Sequence, residues 1–158
     1  MSLVWIIIIA VIIVGVLYEV VHRFLIRRAT LIVRQRAQKI TDAVVFKVLD
    51  EEVGLDYCDR SSKLVSDIWG KGVFSFEYNV NFSSEKQLGD KIISRDGLER
   101  RINEVAHQRA IEYYSQAQQA FKITDWWQGK KQFHMDVTYL MNEASYEYVH
   151  DLRKLQES

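Results

Sequence analysis

Two pairs of acidic and imidazole residues have a spacing that could place metal ligands on helices. Glu104 and His107 are three residues apart, and so are Glu147 and His150. Residues three apart share a helix face. Two such pairs occur in di-iron carboxylate bundles, which also need one glutamate from each of two further helices. The segment 113–142, where one of those helices would lie, contains no glutamate. We therefore predict that the chain binds no metal and no other cofactor.

The remaining reactive side chains form no recognisable catalytic motif. His134 and Asp136 lie on one face of a predicted strand and could pair, but no serine or cysteine stands beside them in a known arrangement. The single cysteine, Cys58, has acidic neighbours at Asp56 and Asp59, which disfavour the thiolate that a nucleophile requires. The sequence therefore favours a non-enzymatic protein over an enzyme.

Two adjacent tryptophans precede two lysines at the turn of a predicted hairpin. Because neighbouring residues on a strand point to opposite faces, at most one of Trp126 and Trp127 can enter a core. The other is expected to be exposed beside Lys130 and Lys131, where it suits a partner protein or the head-group layer of a membrane. Stacking on nucleic acid is disfavoured, because 21 basic and 21 acidic residues leave the chain without net charge.

Two segments, 73–82 and 132–141, alternate apolar and polar residues with the period of two that is typical of half-buried antiparallel strands. A third segment, 121–127, is predicted to be the strand that forms the hairpin with 132–141. These segments predict a small antiparallel sheet of about three strands.

Other segments have helical spacing. After a start signal at Asp96 and Glu99, apolar residues between 98 and 121 step mostly by three and four and predict one long helix. A weaker helix is predicted at 84–89, and Asn142 can cap a last helix that runs to about residue 156. Strands and helices together predict an α+β domain whose helices pack on one face of the sheet.

The N-terminal segment has the length and composition of a transmembrane helix. Residues 3–18 are apolar or small. As a helix, residues 3–21 would span roughly 28 Å, close to the hydrocarbon thickness of about 30 Å. Trp5 and Tyr18 stand near the two ends, where aromatic rings favour the interface. A cleaved signal peptide would need a basic start and small residues after the apolar run, and the sequence has neither.

Basic residues after the span predict its orientation. No acidic residue occurs from 20 to 41, so the positive-inside rule predicts a single-pass protein with its N-terminus outside and its C-terminal domain in the cytoplasm. Glu19, at the edge of the span, is predicted to reach interfacial water or to meet a basic partner helix. The residues predicted to lie at the membrane interface are Arg23, Arg27, Arg28, Arg34 and Arg36.

We expect three parts: a transmembrane anchor at 1–21, a basic-to-acidic helical stalk at 22–53, and a cytoplasmic domain at 54–158 that follows a helix stop at Gly54. The leading hypothesis is a non-enzymatic accessory or scaffolding subunit of a larger membrane assembly. A membrane-tethered regulatory or ligand-binding domain is second, and a membrane-anchored enzyme is third. The expected partners are the lipid bilayer and either other subunits or further copies of the chain, with no nucleic acid.

Overall fold

The computed structural model describes residues 3–53, 61–67, 72–81, 94–129 and 132–156. Within them the elements are α1 (Leu3–Glu52), β1 (Lys63–Asp67), β2 (Phe74–Asn81), α2 (Arg95–Gln108), β3 (Phe121–Gln128), β4 (Gln132–Tyr139) and α3 (Glu143–Gln156). This order confirms the predicted α+β class. The helix predicted at 84–89, the stop at Gly54 and Cys58 lie outside the described residues.

The chain forms two compact units, Met1–Val33 and Arg34–Ser158, and α1 contributes to both. In the first unit, all apolar side chains of α1 from Leu3 to Val33 are exposed. In the second unit, α1 supplies buried core residues from Ala37 to Leu49. The second unit begins at Arg34 and so includes part of the segment 22–53 that was predicted to be a stalk. The apolar residues in the C-terminal part of this segment belong to the core.

The second unit contains a four-stranded antiparallel sheet in the order β1-β2-β4-β3, one strand more than predicted. The three predicted strands are β2, β3 and β4. The additional strand, β1, has five residues and pairs with β2 at one edge, with a bulge between Leu64 and Ser66. Its adjacent apolar residues, Leu64 and Val65, interrupt any alternation, so no period of two marks it in the sequence.

One face of the sheet is apolar and packs against α1 and α2. The alternating apolar residues of β2 and β4 are buried as predicted: Phe74, Phe76, Tyr78, Val80, Phe133, Met135, Val137 and Tyr139. Leu98, Ile102 and Val105 of α2 join the same core. The Tyr78 hydroxyl donates to Asp42 of α1 at 2.6 Å, so this large core side chain has its polar end satisfied.

A bulge in β3 decides which tryptophan enters the core. Phe121 and Ile123 point inward, and the register then shifts between Ile123 and Asp125. The extra residue reverses the alternation, so Trp126 points inward and its ring stacks on Phe133 with centroids 5.0 Å apart. Trp127 points outward and is 51% exposed. One tryptophan is therefore packed and the other is exposed, as the alternation argument required.

The helix predicted over 98–121 ends at Gln108, so its continuation to Phe121 is wrong. The N–H groups of Ala110 and Ile111 donate to carbonyl oxygens three and five residues earlier, each at 3.0 Å. This pattern is that of a Schellman C-cap, with Ala110 at the position that glycine usually occupies. Ala110 has a φ of 50°, in the left-handed region. Because no glycine or asparagine stands there, the sequence lacks the usual stop signal.

The start of α2 also differs from the prediction. Ser94 is the N-cap, and its Oγ accepts from a backbone N–H three residues later at 3.0 Å, whereas Asp96 lies in the first turn. Glu99 makes no capping box with Asp96. It accepts from the backbone N–H of Ile123 at 3.0 Å and from Lys122 Nζ at 2.7 Å. Glu99 thus connects α2 to β3.

The last helix, α3, begins and ends close to the prediction. Asn142 Oδ1 accepts from the backbone N–H of Ser145 at 2.8 Å, which is the expected cap. The helix lies against β3 and β4, but none of its described side chains belongs to the core cluster. It therefore borders the face opposite the core, whereas the prediction placed all helices on one face.

Replacing Ala110 by glycine is expected to raise the free energy of unfolding by about 0.5–1 kcal/mol, because glycine adopts the left-handed conformation without a Cβ clash. Were residue 110 inside a helix, the same change would lower it by about 1 kcal/mol. Urea unfolding of the full chain in detergent, followed by tryptophan fluorescence, separates the two signs. The control is Arg100→Gly, at an exposed position inside α2, which is expected to lower the free energy of unfolding by about 1 kcal/mol.

Candidate functional site

The sheet face opposite the core carries a row of acidic side chains from three neighbouring strands. Glu77 of β2 pairs in register with Asp136 of β4, which pairs with Asp125 of β3. Directly paired residues point to the same face, and like charges placed so are destabilising. Lys63 of β1 is in register with Glu77 at the edge. Among the described residues, His134 is the ion-pair partner of all three carboxylates.

His134 lies in the next row and faces these carboxylates. Its Nε2 atom is 3.1 Å from Asp136 Oδ1 and 3.8 Å from Asp125 Oδ2, which confirms the predicted pairing of His134 with Asp136. Its Nδ1 atom is 2.9 Å from Asn79 Oδ1 and 3.7 Å from Glu77 Oε1. Asn79 Nδ2 donates to Glu77, so the amide oxygen of Asn79 is the atom that faces His134.

Asp136 is the buried member of the acidic row. The residue is 9% exposed, and within the described part of the chain its Oδ1 atom has no hydrogen-bond partner. Burial raises the pKa of Asp136; the charge of His134 opposes this shift, and the charges of Asp125 and Glu77 add to it. The pKa of Tyr148 on α3 is also raised, by burial and by the charge of Asp136. A buried carboxylate among acidic neighbours is costly unless something compensates it.

Three of these side chains could hold a cation. One ligand atom from each of Asp125, His134 and Asp136 lies within 4.8 Å of the others. An imidazole nitrogen with two carboxylate oxygens is a donor set that suits divalent transition metals. Among the described residues, three such donor atoms lie together in this group. The sequence analysis had predicted that the chain binds no metal.

The two Glu-x-x-His pairs serve other contacts. Glu104 forms ion pairs with Arg101 at 2.6 Å and with Arg100 at 3.9 Å, so its charge is met by arginines. It lines an open groove along α2, together with His107. On α3, His150 lies 4.0 Å from Asp151 and is exposed. Among the described residues, the group of three possible metal ligands contains neither pair.

The exposed tryptophan lies beside the acidic row. Trp127 is in register with His134, so both side chains point to the polar face. Its ring lies against Gly129, where an added Cβ atom would come within 3.2 Å of it. Lys130 and Lys131, which were predicted to act with the tryptophans, lie outside the described residues. The structure therefore brings together an exposed aromatic ring and a charged cluster at one end of the hairpin.

The first unit contains the predicted interface residues as far as Arg28. Arg23 Nε donates to Glu19 Oε1 at 2.9 Å, an exposed i,i+4 pair. The guanidinium of Arg28 lies 4.9 Å from the centre of the Phe24 ring. Arg27 is exposed. The other two predicted interface residues, Arg34 and Arg36, belong to the second unit.

Comparison of the sequence with protein-family models, with curated proteins and with solved structures finds no match.

Sequence reasoning found His134 and Asp136 but missed their neighbours. Glu77 and Asn79 alternate with the apolar residues of β2, so the outward face of that strand could be assigned from the sequence. Their register with β4 is a long-range property that no local pattern encodes. Asp125 reaches the same face only because of the bulge in β3.

Replacing Asp136 by asparagine is expected to stabilise the cation-free protein at neutral pH, because it removes a buried charge beside Asp125 and Glu77. The folded-state pKa is raised, so the folded protein holds its proton at pH values where the unfolded chain has lost it. Wild-type stability therefore falls as the pH rises above the ordinary value of 3.8, and the gain from asparagine grows over that window.

Urea unfolding in EDTA at about pH 3 and about pH 7 measures this difference. The gain should be present at neutral pH and absent in acid. Asp151→Asn, which makes the same chemical change at an exposed site on α3, is the control. A less stable Asp136→Asn protein at neutral pH would mean that the carboxylate makes a net favourable contact.

Proposed function

We propose that this chain is a non-enzymatic accessory or scaffolding subunit of a larger membrane assembly, anchored by one transmembrane helix. The observation that carries the proposal is the exposed apolar surface of α1. An 18-residue stretch of this helix is strongly apolar, and none of it is buried. Among the described helices, α1 is the one that is long enough and apolar enough to cross a membrane. Lipid is the environment that suits such a surface.

The charge pattern supports a defined orientation. The basic residues that follow the span would stay in the cytoplasm, with the short N-terminus outside. Arg23 pairs with Glu19, which reduces the cost of an acidic side chain at the edge of the span. Because the core begins at Ala37, little sequence separates the proposed anchor from the folded domain. The domain would then act close to the membrane surface.

The proposed contact with another subunit is the end of the hairpin that carries Trp127. Exposed tryptophans are enriched at the energetic centres of protein interfaces. This one is 51% exposed and stands beside the charged His134 cluster, which could supply complementary polar contacts. A neutral chain without a basic excess fits a protein partner better than a nucleic acid.

A second candidate is a membrane-tethered regulatory or ligand-binding domain. The convergence of Asp125, His134 and Asp136 favours it, because a buried carboxylate with acidic neighbours suits a bound cation. The two candidates differ in what accompanies the protein on extraction. A subunit should leave the membrane in mild detergent together with another membrane protein, whereas a tethered binding domain should leave alone.

Single cysteines test the anchor and its direction. In a Cys58→Ser background, Ser115→Cys lies on an exposed connection of the folded domain. A membrane-impermeant maleimide should label it only after permeabilisation, whereas Ser2→Cys should react in intact cells. The opposite pattern would contradict the orientation. Release of the chain by alkaline carbonate would contradict the anchor itself, because a transmembrane helix resists that extraction.

A photo-reactive residue at position 127 tests the proposed partner contact. On irradiation of intact membranes it should form a discrete adduct with a membrane protein. The same residue at Tyr113, an aromatic position that is 43% exposed in the α2–β3 connection, is the matched control and should form none. Trp127→Ala should weaken co-extraction of the crosslinked protein at least about tenfold, as expected for an aromatic interface anchor. Unchanged co-extraction would remove the hairpin from the proposal.

A further inference from the structure

One donor atom each from Asp125, His134 and Asp136 lies within 4.8 Å of the others. The distance from His134 to Asp136 is that of two ligands of one metal ion, and the distance from His134 to Asp125 is slightly longer. Zn²⁺ binds imidazole nitrogen and carboxylate oxygen at about 2.0–2.2 Å, so two ligands of one ion lie about 3.0–3.6 Å apart. His134 Nε2 is 3.1 Å from Asp136 Oδ1 and 3.8 Å from Asp125 Oδ2. We propose that these three residues bind a divalent transition-metal ion on the polar face of the sheet.

The hydrogen bonding around His134 selects the tautomer that a metal requires. Asn79 presents its amide oxygen to Nδ1, because its nitrogen donates to Glu77. That oxygen can only accept, so Nδ1 is a nitrogen that carries a proton, and Nε2 is the nitrogen that would supply its lone pair to a metal. Metal-bound histidines usually donate their outer N–H to a carbonyl or carboxylate in this way.

The geometry between His134 and Asp136 is compatible with a shared metal ion. Nε2 and Oδ1 are 3.1 Å apart, an ion-pair distance, but Oδ1 does not meet a ring N–H with the direction of a hydrogen bond. A ring N–H donates along its own axis, so Oδ1 lies away from that axis. A metal on the axis would still contact an oxygen in this position, because two ligands of one ion subtend about 90–110° at the metal.

The local charge also favours a cation with more than one charge. Glu77, Asp136 and Asp125 stand side by side across three strands, and Asp136 is nine-tenths buried. A protonated His134 would supply one positive charge for three carboxylates, and Lys63, in register with Glu77, lies at the exposed edge of the row. A divalent ion supplies two, while Glu77 keeps its contact with Asn79 as an outer hydrogen-bond partner.

The donor set indicates which ion binds most tightly. One nitrogen with two carboxylate oxygens suits Zn²⁺ and Mn²⁺, whereas Mg²⁺ prefers oxygen ligands alone and retains its water. Affinity should follow the order Zn²⁺, Mn²⁺, Mg²⁺, as it does for most mixed nitrogen and oxygen sites. Three protein ligands leave at least one coordination position of the metal open, and water or a group from a partner would fill it.

Calorimetric titration of the full chain tests the site. The protein is extracted in detergent, stripped with EDTA and exchanged into buffer, with Cys58→Ser to remove a competing thiol. The expected result is saturable binding of one Zn²⁺ per chain, with weaker binding of Mn²⁺. His134→Gln and Asp136→Asn should each weaken Zn²⁺ binding at least about tenfold, because each removes one of three ligands. Zn²⁺ should also raise the unfolding temperature of the parent protein but not of these variants.

A matched control comes from the exposed pair on α3. His150 and Asp151 are 4.0 Å apart and have the same side-chain types without the buried setting. The double variant His150→Gln, Asp151→Asn should keep the parent affinity. If His134→Gln fails to fold, Asp125→Asn provides the second ligand variant, because Asp125 is largely exposed and its loss should not unfold the sheet. Absence of Zn²⁺ binding by the folded parent, or equal binding by the ligand variants, would overturn the proposal.

Discussion

The antiparallel register of β2, β4 and β3 governs the folded domain, because a period of two assigns every side chain of these strands to one face or the other. Phe76, Met135 and Val137 are fully buried on the inner face. A shift of one residue would turn them toward solvent and press Asp136 and His134 into the apolar core. Burial of unpaired charge costs several kcal/mol, so the alternative registers are strongly disfavoured.

The register that secures the core also brings the acidic side chains together. Glu77, Asp136 and Asp125 cannot be separated while the apolar residues beside them remain packed. Such a cost to stability, retained on a surface that would tolerate neutral residues, is what functional sites typically show. Elsewhere on the same face, Thr138 donates to Ser75 at 3.0 Å, so these two neighbouring side chains are paired without charge.

Local patterns in the sequence predicted the regular helices and strands. They did not predict the irregular features, which are a helix end and a bulged strand. The long alternation of β2 and β4 and the apolar run of α1 are strong signals, and the structure contains each of these elements. The helix end at Ala110 was missed because the left-handed residue is alanine, and β1 was missed because its bulge disrupts the alternation. The cluster around His134 depends on pairing between β2, β4 and β3, and on the bulge that turns Asp125 outward. Such contacts between distant residues have no signature in a single sequence.

Both outer strands of the sheet are irregular, and this has a consequence for a protein confined to a bilayer. The bulges in β1 and β3 interrupt the ladder at the two edges, and β3 carries Asp125 there. Strand edges of this kind are poor templates for pairing with another chain. Molecules restricted to a two-dimensional surface meet one another far more often than in free solution. For a chain anchored as proposed, the irregular edges would prevent crowded neighbours from joining sheet to sheet into fibrils.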